Sequence, residues 1–144
     1  HLLSAGSTGR SILSAAGLEN CTGIVAIRYA KEVGVPRFEK DPDVMAFEAL
    51  RKKYLPTVDP DNTIAFAGYG QVASMAEILR RCGNELTRAN VLKHATTLAG
   101  FHSPYFLDGV NFSYTPDDYT PMKTLYISEF NGKDWDISDK PVTE

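Results

Sequence analysis

The chain has 144 residues, of which 43% are hydrophobic and 23% are charged, a composition typical of an ordinary soluble protein with one core. Its 15 basic and 18 acidic residues give a net charge of −3, which argues against a nucleic-acid-binding surface. No apolar run in the sequence approaches the roughly 20 residues that a membrane-spanning helix needs.

The first elements in chain order are a short strand, a polar turn and a helix. Residues 2–5 predict the strand, and the turn sequence GSTG follows it. Ser7 or Thr8 can cap a helix over residues 8–16, which Gly17 would end in the left-handed conformation. A helix N-terminus can cradle an anion, but a turn of this kind is more often a simple capped helix start.

A buried strand and a second helix come next. Residues 23–30 are apolar through almost all of their first half, which predicts a strand buried on both faces. A helix is predicted over residues 42–54, because Asp41-Pro42 is typical of a helix start and Pro56 stops the pattern. Its apolar positions are Val44, Phe47, Leu50 and Tyr54.

The third predicted helix, over residues 62–82, has the most regular pattern in the chain. One stripe of this amphipathic helix consists of Tyr69, Val72, Ala73, Ala76 and Leu79. Gly83 follows as a cap. The first part of the helix carries Gly68-Tyr69-Gly70, although each glycine costs a helix about 1 kcal/mol relative to alanine. The two glycines therefore indicate a requirement other than helix propensity.

The last third of the chain predicts one more helix and a hairpin. The helix covers residues 87–98, with Thr87 as its N-cap. Its inward-facing positions are Val91, Leu92, Ala95 and Leu98. Alternating residues around Asn131-Gly132 predict a C-terminal β-hairpin. Strands that alternate with helices and then end in a hairpin predict an α/β fold, with a partly parallel sheet flanked by helices.

Motifs for metal, nucleotide or nucleophilic chemistry are missing from the sequence, which contains no Walker loop, GxGxxG, GxSxG or HExxH. The two cysteines, Cys21 and Cys82, match no zinc or CxxC spacing, and either a buried pair of free thiols or one disulfide fits them. The three histidines are dispersed. The sequence therefore predicts neither a metal nor a cofactor.

Five segments, in this order, resemble one protein family. The segments are AAGLENCTGIVAI (15–27), DPDVMAFEALRKKYLP (41–56), AGYGQVASMAEILRRCGNELTRANVLKHATTL (67–98), GVNFSYTPDDY (109–119) and NGKDW (131–135). Together they resemble the C-terminal part of ABC-transporter extracellular solute-binding proteins with the type I periplasmic-binding fold. The group is the branched-chain amino-acid (Leu/Ile/Val-binding) receptors. Each segment is a weak signature alone, and their order makes the resemblance fairly specific.

The resemblance implies a non-enzymatic receptor in which two α/β lobes close on a solute. Family members are about twice this length or more, so residues 1–144 would form most of one incomplete lobe and the final crossover. The implied role is to capture an amino acid, an amide or an organic or aromatic acid for the membrane permease of an ABC importer. The implied location is periplasmic or extracellular, with a lipid anchor on the full-length protein left open. Such a piece is also expected to self-associate.

The resemblance also implies site residues. In relatives the tyrosine of the third helix lies near the cleft, so Tyr69 would face solute, with Gly68 and Gly70 allowing close approach. The turn that carries Ser7 and Thr8 matches a second cleft-facing loop, and Tyr29 is a weaker candidate. In amino-acid receptors of this family, the loop that matches residues 4–9 can supply a carboxylate for the ammonium group of the ligand. Residues 4–9, SAGSTG, contain no carboxylate, which weakens the case for an α-amino acid.

Other interpretations of the same residues stay open. The chain could be a ligand-sensing lobe of the same fold in a signalling or regulatory protein, or a small α/β enzyme. A fused kinase region or a lipoprotein leader would separate the first alternative from a transport receptor. Turnover abolished by a point mutation would favour the enzyme. For the candidate site, Tyr69 could be a core residue, and Ser7 or Thr8 could merely cap a helix.

Overall fold

A mixed β-sheet organises the chain. The structure, a computed structural model, describes residues 1–143, with Ser11 described by its backbone alone. The strands found in this range are β1 (Leu2–Leu3), β2 (Val25–Arg28), β3 (Thr124–Phe130) and β4 (Trp135–Thr143). They lie side by side in chain order. β1 is parallel to β2, whereas β2–β3 and β3–β4 are antiparallel.

Within the described residues, four α-helices lie between β1 and β3 in the sequence. They are α1 (Arg10–Ala16), α2 (Pro42–Tyr54), α3 (Thr63–Cys82) and α4 (Arg88–Thr96), with 3₁₀ turns over Ala5–Ser7, Leu18–Cys21 and Pro36–Phe38. The predicted α/β class, the partly parallel sheet and the terminal hairpin after Phe130 are confirmed. Over residues 1–143, the structure contains no helix of the length and apolarity needed to cross a membrane.

Local capping explains most helix boundaries. The carboxylate of Asp41 accepts hydrogen bonds from the first backbone N–H groups of α2, and the Asn62 side chain does the same for α3. The hydroxyl of Thr87 caps α4, as the sequence predicts. Gly17 and Gly83 end α1 and α3 with φ of +83° and +60°, a region that favours glycine.

The start of α1 differs from the sequence prediction. The residue before its first turn is Gly9, which has no side chain to cap the helix, so capping by Ser7 or Thr8 is wrong. The hydroxyl of Thr8 instead donates to the carbonyl of Ala5 at 2.8 Å. A 3₁₀ turn over residues 5–7 intervenes between β1 and α1, and Thr8 closes that turn rather than the helix.

Strand β2 is buried on one face rather than on two. Ala26 and Arg28 are buried, whereas Ile27 between them is 42% exposed. Ile27 lies opposite Ile127 of β3, which is 49% exposed. The prediction of burial on both faces is wrong, because the core cluster around Ala26 covers one face of the sheet and leaves this apolar pair on the other.

The buried side of α3 is rotated away from the predicted stripe. Its buried residues are Phe66, Gly70, Ile78 and Cys82. Val72 and Leu79 of the predicted stripe are exposed, and Leu92 of α4 is exposed as well. The apolar pattern identifies a helix correctly, but the neighbours that decide which side is buried come from distant parts of the chain.

Two clusters of buried side chains form the core. The larger one joins α2, α3 and the loops beside them, and consists of Val33, Val35, Phe38, Val44, Phe47, Phe66, Phe106, Leu107 and Val110. The smaller one joins α1, β2 and the hairpin, and consists of Leu13, Cys21, Ala26, Phe130 and Trp135. Cys21 and Cys82 are both buried and free, which confirms the free-thiol alternative.

The two glycines around Tyr69 have different surroundings. A Cβ atom at Gly70 would lie 2.5 Å from Cβ of Tyr105 and 2.8 Å from Oγ of Ser103. The Ser103 hydroxyl also donates to the carbonyl of Gly70 at 3.3 Å. No atom lies within 4 Å of the corresponding position at Gly68. The close approach of α3 to the loop at 103–105 therefore requires Gly70 and not Gly68.

We expect Gly70→Ala to lower the free energy of unfolding by about 1–3 kcal/mol, because the added methyl group overpacks against the backbone-proximal atoms of Tyr105. Gly68→Ala is the matched control on the same helix. It should raise the free energy of unfolding by up to about 1 kcal/mol through helix propensity alone. Urea denaturation of both variants measures the difference, and equal effects of the two substitutions would contradict the assignment.

Candidate ligand-binding cavity

A cavity of about 340 Å³ opens at the carboxyl ends of the parallel strands β1 and β2. Its wall consists of residues 28–32, some of residues 5–12, some of residues 59–67, and the loop residue Tyr105. The first turns of α3 contribute Thr63, Ile64 and Ala67 to this wall. Open α/β sheets bind their ligands at the carboxyl ends of strands, so this position is the one that the fold favours for a site.

The structure brings two of the four predicted site residues to the cavity. Thr8 and Tyr29 line its wall, whereas Ser7 and Tyr69 do not. The hydroxyl of Ser7 lies 3.3 Å from that of Ser4. Tyr69 is half-buried on the other side of α3, where it joins an aromatic group of the larger core cluster. Contact between any of these four residues and a solute remains a prediction.

The loop between β1 and α1 is held by hydrogen bonds at Thr8. The hydroxyl of Thr8 donates to the Ala5 carbonyl. The backbone carbonyl of Thr8 accepts a hydrogen bond from the indole N–H of Trp135 at 3.0 Å. The second bond ties this loop to the start of β4, far away in sequence. Because its proton is already engaged, the Thr8 hydroxyl can offer a ligand only its acceptor lone pairs.

Two tyrosines form an aromatic part of the wall. The rings of Tyr29 and Tyr105 pack edge to face with centroids 6.4 Å apart, and Tyr29 packs in the same way on Phe106. Burial, and then the nearby Tyr29, raise the pKa of Tyr105 to about 12. Its hydroxyl therefore stays protonated at neutral pH and is a neutral hydrogen-bonding group.

A buried ion pair lies beside the aromatic wall. Nη2 of Arg28 is 3.0 Å from Oε2 of Glu32, and both side chains are buried. Oε1 of Glu32 accepts the backbone N–H of Arg10 at 2.7 Å. The guanidinium carbon of Arg28 lies 5.3 Å from the centroid of the Trp135 ring, in cation–π geometry. The pair is thus fixed between the end of β2, the start of α1 and β4.

Sequence reasoning missed this pair, and one pattern could have indicated it. Arg28 interrupts the apolar run of a buried strand, and Glu32 follows four residues later. A charged residue in such a run needs a partner, since an unpaired buried charge is strongly unfavourable. The cation–π contact with Trp135 depends on distant parts of the chain and could not be predicted from this local pattern.

A second buried cation of the wall is fully engaged elsewhere. Nζ of Lys31 lies 2.9 Å from Oδ2 of Asp41 and 2.8 Å from Oδ2 of Asp43. Burial alone lowers the pKa of Lys31, but the hydrogen bonds to Asp43 and Asp41 outweigh it and raise the pKa above its ordinary value. Lys31 therefore stays charged and anchors the start of α2 to the loop after β2.

The rim of the cavity is acidic and exposed. Asp59 and Asp61 lie on it, and the Asp59 carboxylate accepts the backbone N–H of Asp61 at 2.9 Å. Asn62 lines the cavity too, but its side-chain oxygen already caps α3. Among the described residues no group of three or more His, Cys, Asp or Glu side chains could hold a metal ion.

The fold is shared with solved binding proteins. One is a branched-chain amino acid ABC transporter from Thermus thermophilus with bound valine, with a TM-score of 0.78 and 20% identity over 100% of this chain and 39% of that one. Another is a possible leucine/isoleucine/valine-binding protein from Rhodopirellula baltica SH 1, with a TM-score of 0.66 and 17% identity over 95% of this chain and 35% of that one.

The likeness covers 100% and 95% of this chain, but the chain spans only 39% and 35% of the lengths of the two solved proteins. No protein-family model matches the sequence, and no curated protein matches it. The resemblance predicted from the five sequence segments is therefore confirmed in its fold: the chain folds like one part of an ABC-transporter binding protein.

The ion pairs of Lys31 predict how the free energy of unfolding depends on pH. Burial alone raises the pKa of Asp41, but hydrogen bonds from Lys31, Val44 and Asp43 outweigh it, so the pKa falls below its ordinary value of 3.8. A carboxyl whose pKa is lower in the folded protein stabilises it above the unfolded pKa, and this stabilisation is lost as the pH falls through the folded value.

We therefore expect Asp41→Asn, which keeps a capping oxygen, to lower the free energy of unfolding by about 1–3 kcal/mol at neutral pH. The difference from the wild type should begin to shrink below about pH 4, where the aspartate of the unfolded chain becomes protonated, and should be lost as the pH falls through the lower pKa of Asp41 in the folded protein. Denaturant unfolding from pH 7 to pH 2.5 measures it. Asp117→Asn, an exposed carboxylate, is the control. A difference that is constant over the whole range would contradict the prediction.

Proposed function

We propose that the chain is part of a solute receptor of the branched-chain amino-acid receptor family, which is not an enzyme and which captures a small molecule for an ABC importer. The observation that carries the proposal is the cavity at the carboxyl ends of β1 and β2, with its aromatic and buried polar wall. Ligand sites combine such an apolar wall with a few fixed polar groups. The shared fold with a valine-bound transporter protein supports the same role.

The proposed ligand is an amide or an organic or aromatic acid rather than an α-amino acid. The loop at residues 4–9 has no carboxylate for an ammonium group. The buried carboxylate of the wall, Glu32, already accepts from Arg28 and from the backbone of Arg10. The edge-to-face pair Tyr29–Tyr105 offers an apolar surface for the remainder of the ligand.

We propose Thr8 and Tyr29 as wall contacts of the ligand, and Ser7 and Tyr69 as contacts that form in the complete receptor. The first two line the cavity, which supports their assignment. Ser7 and Tyr69 rest on the family resemblance alone. Closure of a second lobe would convert these partial contacts into affinity, because one lobe buries only part of a ligand.

The proposed partners are the solute and the membrane permease of the importer, and the proposed location is periplasmic or extracellular. We also propose that the 144-residue chain by itself self-associates. The support is an uncovered apolar strip on the sheet, in which Ile27 lies opposite Ile127 and the flanking Leu2 and Val142 are 74% and 52% exposed. Sedimentation velocity of the isolated chain decides this point, and a strictly monomeric species would contradict it.

A pair of substitutions on α3 tests the cavity as the site. Ala67 lines the cavity and Ala76 is exposed farther along the same helix. Ala67→Phe should place a ring in the cavity and weaken solute binding at least tenfold, whereas Ala76→Phe should leave it unchanged. Calorimetry with L-valine, isobutyrate, isobutyramide, benzoate and benzamide measures the affinities on the longest natural protein that carries this chain.

Ala67→Phe and Ala76→Phe must also have equal thermal stability, because a phenylalanine that unfolds the protein would abolish binding without any contact with the solute. A solute that binds both variants with wild-type affinity would show that the cavity is not its site. The absence of binding for every compound of the set to the wild type would count against the receptor function. Measured turnover of any bound compound would favour the enzyme alternative.

Tyr69 has its own test. If its hydroxyl contacts solute in the complete receptor, Tyr69→Phe should weaken binding by about 0.5–1.5 kcal/mol, the typical contribution of one hydrogen bond. Tyr69→Ala should weaken binding further and also lower the melting temperature, because the ring packs 5.7 Å from that of Phe47. Lower stability of Tyr69→Ala with wild-type affinity in both variants would make Tyr69 a packing residue.

A further inference from the structure

One hydrogen-bond donor of Arg28, a residue that lines the cavity, is buried and unpaired. Nη1 of Arg28 has no hydrogen-bond partner among the residues that the structure describes, and within that range it is the one buried side-chain nitrogen or oxygen in this condition. Arg28 is 5% exposed and lines the cavity. Buried polar groups are nearly always paired, so an unpaired one at a cavity calls for an explanation.

Arg28 cannot relieve this condition by moving to solvent, because its guanidinium is held on two sides. Nη2 donates to Glu32 at 3.0 Å, and the guanidinium carbon lies over the Trp135 ring, 5.3 Å from its centroid. Glu32 is held in turn by the backbone N–H of Arg10. A donor that is fixed before a ligand arrives loses little conformational freedom on binding, which is the requirement for a recognition group.

We propose that Nη1 of Arg28 binds one oxygen of a carboxylate on the solute, so that the receptor takes monocarboxylic acids with an apolar or aromatic remainder. This inference rests on the proposed function and specifies its ligand. A hydrogen bond between a guanidinium and a carboxylate is charge-assisted and stronger than one to a neutral oxygen. Lys31, the other buried cation of the wall, is already paired with Asp41 and Asp43.

The remaining wall fits such a ligand. Tyr29 and Tyr105 lie on the same cavity and present aromatic surface to the part of the molecule that carries no charge. The exposed rim carboxylates, Asp59 and Asp61, oppose a second negative charge near the mouth. The two aspartates thus favour a ligand with one carboxylate over a ligand with two. The two tyrosines favour a ligand whose remainder is apolar.

Matched acid and amide probes test this inference by calorimetry on the longest natural protein that carries the chain. We expect benzoate and isobutyrate to bind at least tenfold more tightly than benzamide and isobutyramide. Arg28→Lys keeps a cation beside Glu32 but removes the second guanidinium donor, so it should weaken acid binding at least tenfold and amide binding much less, which removes the preference for acids. Arg37→Lys, an exposed arginine outside this cavity, is the control.

A measurement on the wild type keeps the inference testable even if Arg28→Lys fails to fold. In protein labelled with ¹⁵N-arginine, saturating benzoate should shift the guanidinium resonances of Arg28 and leave those of Arg37 in place. Equal affinities for acid and amide, an acid preference that survives Arg28→Lys, or an unshifted Arg28 resonance would each overturn the inference.

The outcomes also separate this inference from the proposed function. Binding of L-valine or an amide that Ala67→Phe abolishes, without any preference for acids, would leave a solute receptor and overturn the role of Arg28. No binding of any probe to the wild type would overturn both proposals. An acid preference that both Arg28→Lys and Ala67→Phe remove would support both.

Discussion

The contact on which the cavity depends is the buried ion pair of Arg28 and Glu32. It joins the end of β2 to the start of α1 through the backbone N–H of Arg10. Trp135 extends it, since its ring lies under the guanidinium and its indole N–H donates to Thr8. Removal of one member of a buried pair leaves an uncompensated charge and typically costs about 3–5 kcal/mol. The position of the cavity wall therefore depends on residues that are more than 100 positions apart in sequence.

The same network lies where the two core clusters meet. Ile137 of β4 packs against both clusters, and Trp135 on the same strand belongs to the smaller one. The terminal hairpin therefore does more than extend the sheet: it fixes the β1–α1 loop on one side and contacts the larger core on the other. Loss of the hairpin would expose the ion pair to water and release the loop that carries Thr8.

Local chemistry made much of the fold predictable. The bounds of α2, the cap of α4 and the glycine ends of α1 and α3 depend on residues within one turn of each boundary, and these predictions are confirmed. The buried side of α3 was not predictable in this way. It is set by the approach of the loop around Ser103 and Tyr105 to Gly70, a contact across 33 positions of sequence.

The candidate site was predictable to a smaller degree for the same reason. The family resemblance predicts Thr8 and Tyr29 as site residues, and both line the cavity at the carboxyl ends of β1 and β2. Tyr105 reaches the wall through a loop that pairs with the segment after β2, where Lys31 donates its backbone N–H to the Tyr105 carbonyl at 2.8 Å. No local pattern in the sequence encodes that pairing.

The unpaired donor of Arg28 is an exception, because the other buried side-chain nitrogen and oxygen atoms that the structure describes in residues 1–143 have hydrogen-bond partners. The buried hydroxyl of Ser128 donates to Ala26, and that of Ser103 to Gly70. Buried Arg51 donates to both oxygens of Glu48 and to the carbonyl of Val58. Since these groups, deep in the core or in a helix, are paired, the fold has no general difficulty in supplying partners. The exception, Nη1, belongs to a residue that lines the cavity, and the proposed carboxylate of a solute would give this donor a partner.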